Sequence, residues 1–334
     1  MTLELDPDKC LPADGCAGTL IGRVWLPGEG PAIVLLRNDG VFDISRAAST
    51  VAGLLNEPDP LAVIAAAPRD RRLGTVADIL ANSTSDGRDS ARPWLLAPID
   101  LQAVKAAGVT FIRSLLERVV EEQARGDPAR AAEVRTSLAA EIGLHPASVW
   151  NNPEPEIVLA VNAAGHIVGA TLGNDVNLRD FEGRSALLLG KAKDNNGSSA
   201  IGPFLRLFDD TFSLDDVRGA EVALEVRGPE GYVLNGHSSL AMISRDPAEI
   251  VAQAIGPTHQ YPDGFALFLG TMFAPIDDRD APGEGFTHKL GDIVTVASPK
   301  LGALVNRVGR SDRIPPWEFG ALALMRNLAD RGLL

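Results

Sequence analysis

Two rhythms of apolar residues divide this chain. From Glu156 onward the apolar positions fall into short runs of the length and alternation that predict β-strands. Residues 156–161 and 166–172 flank Asn162-Ala163-Ala164-Gly165, a turn sequence that predicts a hairpin. Further strands are predicted at 221–227, 265–270 and 293–297, with a helix over 247–255. Upstream, Phe111, Leu115, Leu116 and Val119 recur at helical spacing, with Glu117, Arg118, Glu121 and Glu122 on another face. Asp127 is placed to cap a second helix, with Pro128 at its first position. Nearer the start, 22–27 and 32–36 read as strands separated by Gly/Pro turns, and 82–87 as a loop. The apolar run 61–67 fits a helix or a strand equally well, because periodicity alone does not separate short buried runs. The pattern predicts a small α+β N-terminal domain, residues 1–101, and a larger strand-rich domain, residues 102–334.

Composition narrows the setting. With 334 residues there is room for two domains or one large one. There are 44 acidic and 31 basic residues, a formal charge of −13. That excludes a general nucleic-acid binder, which needs a basic face to displace counterions. Hydrophobic residues make up 45% and charged ones 22%, which is the balance of a globular chain. The two cysteines, Cys10 and Cys16, cannot form a disulfide framework, so a reducing, cytoplasmic setting is expected. Residues 1–8 carry Glu4, Asp6 and Asp8 with no basic, apolar leader, and no apolar run reaches about 18 residues, so no membrane association is expected.

The chemistry concentrates around Asn151-Asn152-Pro153-Glu154-Pro155-Glu156. In an extended chain Glu154 and Glu156 share one face, about 6.6 Å apart, and Pro155 favours an extended Glu154. With the hairpin centred between Ala164 and Gly165, facing positions sum to 329, which sets Asp175 opposite Glu154. Three carboxylates then converge at one end of the hairpin. Like charges at that range repel unless a cation lies between them, and an all-oxygen ligand set suits Mg²⁺, Mn²⁺ or Ca²⁺ better than zinc. An exposed acidic hairpin end is the alternative reading. Lys193, just before the loop Asp194-Asn195-Asn196-Gly197-Ser198-Ser199, is either a solvated surface lysine or a group that holds a substrate carboxylate or moves a proton. The five histidines show no ligand spacing, and the absence of a Gly-x-Ser-x-Gly elbow argues against a serine hydrolase.

Taken together, Glu154-Pro155-Glu156, Gly173-Asn174-Asp175, Arg179-Asp180, Lys193, Gly270-Thr271 and the closing strand Gly291-Asp292-Ile293-Val294-Thr295-Val296 resemble the fumarylacetoacetate hydrolase family in order and spacing. The resemblance covers about residues 102–330. It implies a mixed β-roll catalytic domain, assembled as a homodimer or dimer of dimers, with Mg²⁺ held by Glu154, Glu156 and Asp175. Lys193 matches the family's active-site lysine and Thr271 a residue that contacts substrate, while Thr110, Ser114 and Arg179 fall at further substrate positions.

One departure bears on the reaction. Carbon–carbon hydrolases of the family carry a water-activating histidine in a stretch that here resembles Gly108-Val109-Thr110-Phe111-Ile112-Arg113-Ser114-Leu115-Leu116-Glu117, and Ser114 stands in its place. Serine is no base at neutral pH without a partner. The chain is more similar to the branch that dehydrates 2-keto-3-deoxy-pentonates, which implies loss of water from 2-keto-3-deoxy-D-xylonate (the same compound as 2-keto-3-deoxy-D-arabinonate) to 2-oxoglutarate semialdehyde in non-phosphorylated pentose oxidation. Glu117 and Lys193 are the candidate base and acid. The junction near Ala140-Glu141 is shorter than in those members, where a lid-like segment lies. Hydrolysis of a 2,4-diketo acid and non-catalytic binding of a 2-keto acid are the alternatives.

Overall fold

The computed structural model describes residues 3–84, 87–108, 110–112, 141–273, 275, 277–282 and 285–334. The expected helices around 111–119 and 127–135 lie outside them, apart from residues 111 and 112. The first hundred or so residues supply β1 (Leu20–Leu26), β2 (Gly30–Arg37), β3 (Gly40–Asp43), β4 (Arg72–Gly74), β5 (Trp94–Leu96) and β6 (Ala103–Ala106). Then come β7 (Glu141–Leu144), β8 (Asn151–Asn152), β9 (Pro155–Val161), β10 (Ile167–Asp175), β11 (Asn177–Leu178) and β12 (Ser199–Leu207). The last are β13 (Glu221–Arg227), β14 (Val233–Ser239), β15 (Phe265–Phe268), β16 (Ile293–Ser298) and β17 (Gly302–Arg310).

Among the described residues these strands make two main sheets and a two-stranded ribbon. The first sheet has the order β4-β3-β2-β1-β12-β10-β9-β15-β6, with β5 also pairing β1, and the second the order β14-β13-β16-β17-β7. The ribbon is β8 with β11. Pairing is antiparallel except for β6 with β15 and β7 with β17. This is the sheet-rich α+β architecture expected for the larger part of the chain. Strands from residues 1–101 join the same sheet as the hairpin, since Leu20 and Ile21 of β1 pair with Arg206 and Leu205 of β12. Arg206, 1% exposed, crosses that seam to Asp14 at 2.6 Å.

The run β9 shows how sequence becomes layers. All seven of its residues are buried. Ile157, Leu159 and Val161 face β13 and β16, packing with Val222, Leu224, Val226, Val294 and Val296 into the core between the sheets. The alternate residues turn the other way: Ala160 packs with Ile21, Leu35 and Leu205, and Val158 with Ala266 and Phe268. Period-two alternation therefore places Glu156 on the face away from the main core.

The apolar run 61–67 resolves as a helix, Pro60–Ala66. The deciding signal lies just outside the run: the Asp59 carboxylate accepts from the Ala62 N–H, and Pro60 takes the first helical position. The hairpin register is the expected one by an unexpected route. At the turn Val161 faces Ile167, one residue tighter than a centre between Ala164 and Gly165 requires. A bulge between Ile167 and Gly169 then shifts the ladder, so that Ala160 faces Gly169 and Glu156 faces Gly173. Beyond the ladder, the Asp175 N–H donates to the Glu154 carbonyl at 3.0 Å, which sets the two residues opposite each other.

Candidate metal centre

Glu154, Glu156 and Asp175 offer carboxylate oxygens that all lie within 4.8 Å of one another. Each is placed by local chain chemistry. Pro155 starts β9 and aims Glu154 and Glu156 to one side. Asp175 closes β10, two residues after Gly173, where a Cβ would approach Phe268 Cε1 to 2.3 Å and Val158 Cγ2 to 2.6 Å. Only glycine lets the floor of the site pack that closely. Gly270 plays a second such role. It has φ +86°, a Cβ there would lie 2.1 Å from Thr110 Oγ1, and its N–H donates to Glu156 Oε2 at 2.6 Å.

Lys193 sits against two of these acids. Lys193 Nζ lies 2.9 Å from Glu154 Oε2 and 3.0 Å from Asp175 Oδ2. It also donates to the carbonyls of Asp175 and Val176 at 3.3 Å. Burial by itself would lower the Lys193 pKa, but Glu154, Asp175 and Glu182 outweigh it and hold the ammonium above the ordinary lysine range. Glu156 is 3% exposed. Burial, reinforced by Asp175 and Glu154, pushes its carboxyl well above the usual carboxylate range. Two carboxylates at this spacing repel by about 3–4 kcal/mol at an effective dielectric constant near 20. A hard divalent cation with oxygen preference fits the donor set. The exposed acidic hairpin end is thereby set aside, since Glu156 and Asp175 are buried and Glu154 nearly so.

These residues open into a cavity of about 640 Å³, whose lining includes Glu154, Glu156, Asp175, Lys193, Arg179 and Thr271. Six of the expected site residues thus come together. Arg179 is buried with its guanidinium 4.7 Å over the Trp150 ring. Thr110 is placed differently from the expectation of substrate contact. It is 0% exposed and is not among the lining residues. Its hydroxyl donates to the Leu269 carbonyl at 2.6 Å, bracing the Gly270 turn from behind. Ser114 and Glu117 lie outside the described residues.

Sequence reasoning passed over two asparagines. Asn177 Nδ2 donates to Glu154 Oε1 at 3.0 Å, and its ribbon partner Asn152 also lines the cavity. The oxygens Asn152 Oδ1 and Asn177 Oδ1 are buried without a hydrogen-bond partner among the described residues. The available signal was the run of asparagines at 151, 152, 174 and 177 on both sides of the acidic motif.

The geometry agrees with the comparisons. The family model of the fumarylacetoacetate hydrolase C-terminal domain matches residues 124–309, and the chain belongs to that family. It is 25% identical over 230 residues to the probable 2-keto-3-deoxyxylonate dehydratase of Haloferax volcanii, spanning 63% of this chain and 73% of that protein. It is 29% identical over 170 residues to the 2-dehydro-3-deoxy-D-arabinonate dehydratase of Saccharolobus solfataricus, spanning 50% of this chain and 52% of that one. A solved structure described as 2-keto-3-deoxy-D-arabinonate dehydratase complexed with magnesium and 2,5-dioxopentanoate has a similar fold, with a TM-score of 0.64 at 19% identity over 89% of this chain and all of that one. Among the described residues no helix is long and apolar enough to cross a membrane.

Proposed function

We propose that this protein is a Mg²⁺-dependent dehydratase of a 2-keto-3-deoxy-pentonate, 2-keto-3-deoxy-D-xylonate (D-arabinonate) in the first instance, giving 2-oxoglutarate semialdehyde. The observation that carries the reading is the acidic triad at the floor of a 640 Å³ cavity with Lys193 against it. The names of the two curated relatives support the substrate class. Glu154, Glu156 and Asp175 would hold the cation, which supplies Lewis acidity to the carboxylate and 2-oxo oxygens of a keto acid and so makes the C3 protons more acidic. Lys193, held as an ammonium, is suited to anchor the substrate carboxylate or to give a proton to the departing C4 hydroxyl. Arg179 and Thr271 line the same cavity and are the proposed further contacts to substrate. Glu117 is the proposed base. The reading includes a homodimer or dimer of dimers in the cytoplasm, and Mn²⁺ or Ca²⁺ as alternatives to Mg²⁺.

The test is to incubate the protein and Mg²⁺ with 2-keto-3-deoxy-D-xylonate and, separately, with an acylpyruvate, and to identify products by mass. Loss of about 18 mass units from the first substrate, abolished in Glu154→Ala, is the expected result. Rapid cleavage of the acylpyruvate with the sugar acid untouched would establish the hydrolase in its place. Metal binding without turnover of either would establish a binding protein.

A further inference from the structure

Behind the ribbon of β8 and β11 lies a second buried cluster of charge. Arg279, Asp292 and His288 have side chains 1%, 0% and 0% exposed. Arg279 grips Asp292 with both terminal nitrogens, at 2.6 and 2.7 Å, and lies 4.7 Å over the Tyr232 ring. Asp292 also meets His288 Nδ1 at 3.0 Å and accepts from the Lys289 N–H at 3.0 Å. A buried ion pair of this kind seldom adds net stability over apolar packing, so its presence calls for a positional role.

The contacts show what is positioned. Arg279 donates to the Thr287 carbonyl at 3.0 Å. The Thr287 hydroxyl accepts from the Asn151 N–H at 3.2 Å and donates to the Val149 carbonyl at 3.3 Å. The His288 N–H is shared between the Asn151 carbonyl and side-chain oxygen, both at 3.2 Å. Asn151 is the outer residue of the ribbon, paired with Leu178, while its neighbour Asn152 pairs with Asn177, the donor to Glu154. Hydrogen bonds to Asn151 and the pairing of the ribbon therefore connect Asp292 to the carboxylate of Glu154.

We infer that Thr287 and His288, locked by Arg279 and Asp292, are positioning residues that brace the β8–β11 ribbon and so set the affinity for the divalent cation. The inference rests on the metal site of the proposed function. Outer groups that orient metal ligands typically change affinity by about 10- to 100-fold when removed.

The test uses the full-length protein with Thr287→Val, its conservative partner Thr287→Ser, and His288→Phe. The last removes the Nδ1 bond to Asp292, since His288 Nε2 has no partner among the described residues. Calorimetric titration with Mg²⁺ alone is expected to show affinity lowered about tenfold in Thr287→Val and His288→Phe, and restored in Thr287→Ser. Amide exchange of the metal-free proteins is expected to quicken at 151–156 and 174–178 while 221–227 stays unchanged. Mg²⁺ affinity within about twofold of wild type, with unaltered exchange at 151–156, overturns the brace. If wild type takes up no Mg²⁺, the proposed function fails and the exchange measurement alone decides the brace. A variant that unfolds is replaced by the other, since Thr287→Val removes a bond to Asn151 of the ribbon and His288→Phe the bond that locks His288 to Asp292.

Discussion

Two buried groups of acids lie on either side of the β8–β11 ribbon, and they are satisfied to opposite degrees. Asp292 is a single carboxylate met by a bidentate arginine, a histidine and a backbone N–H. Glu154, Glu156 and Asp175 are three carboxylates within 4.8 Å of one another, two of them against Lys193. Saturation around the first suits the brace inferred above. Crowding around the second suits the cation of the proposed function, and the amide oxygens of Asn152 and Asn177, without a hydrogen-bond partner among the described residues, belong to side chains lining the same cavity. Burial alone does not separate structure from function here; the balance of partners does.

The comparison is open to direct attack. The largest effect is expected from Asp292→Asn, which takes the bidentate partner from buried Arg279 and leaves it only the half-exposed Glu230 at 2.9 Å. It should cost about 3–5 kcal/mol in urea unfolding, and a loss under about 1 kcal/mol would break the contrast. Next, Mg²⁺ at about 100 times its dissociation constant should stabilise wild type by about 2.7 kcal/mol and leave Glu154→Ala unmoved, as read from melting curves. A gain of about 1 kcal/mol is expected for metal-free Glu156→Gln, because the neutral amide relieves repulsion from Asp175 and Glu154 while it weakens the metal site. A loss there would show that the Gly270 N–H bond to a charged Glu156 outweighs the repulsion.

The smallest effect concerns pH. Burial holds the His288 pKa below its ordinary value, against the pull of Asp292. Below about pH 6.5 the unfolded chain takes up a proton that the folded His288 refuses, so stability falls as pH drops from there. Asp292 is raised by burial but lowered further by Arg279 and His288, so its net pKa is depressed. Its contribution is present above the ordinary aspartate value and is lost as pH falls through the depressed one. Unfolding midpoints of wild type and His288→Phe at about pH 7 and about pH 5.5 isolate this histidine from His145 and Glu156, which are shifted as well. A smaller difference in His288→Phe is expected, and the same difference in both proteins would remove His288 from the account.

The centre of the candidate site was readable because its parts are local. Glu154 and Glu156 are two apart on one strand, and a single hairpin brings Asp175 to them. The register came out right although the turn is tighter than expected, since the bulge near Val168 restored the ladder before the acids were reached. Lys193 needed the family resemblance, because 39 residues separate it from Glu154. What stayed hidden depends on longer reach or on pairing without periodicity. The ribbon has two residues a side, too few for any strand signal. Arg279 and His288 look like loop residues in sequence, and their burial follows only once the segment before β16 folds over Tyr232 and Phe286. Thr110 matched a position of substrate contact, but its side chain turns inward to serve the Gly270 turn.

The seam between β1 and β12 has a practical consequence for anyone dissecting the chain. A fragment starting after residue 101 would lose β1, baring the backbone edge of β12 along Leu205 and Arg206. It would also strip Arg206 of Asp14 and uncover Leu205 and Leu207, now packed beneath Ile21 and Ile33. An open, apolar strand edge of that kind recruits copies of itself. The N-terminal segment thus covers a strand edge that the rest of the chain leaves open.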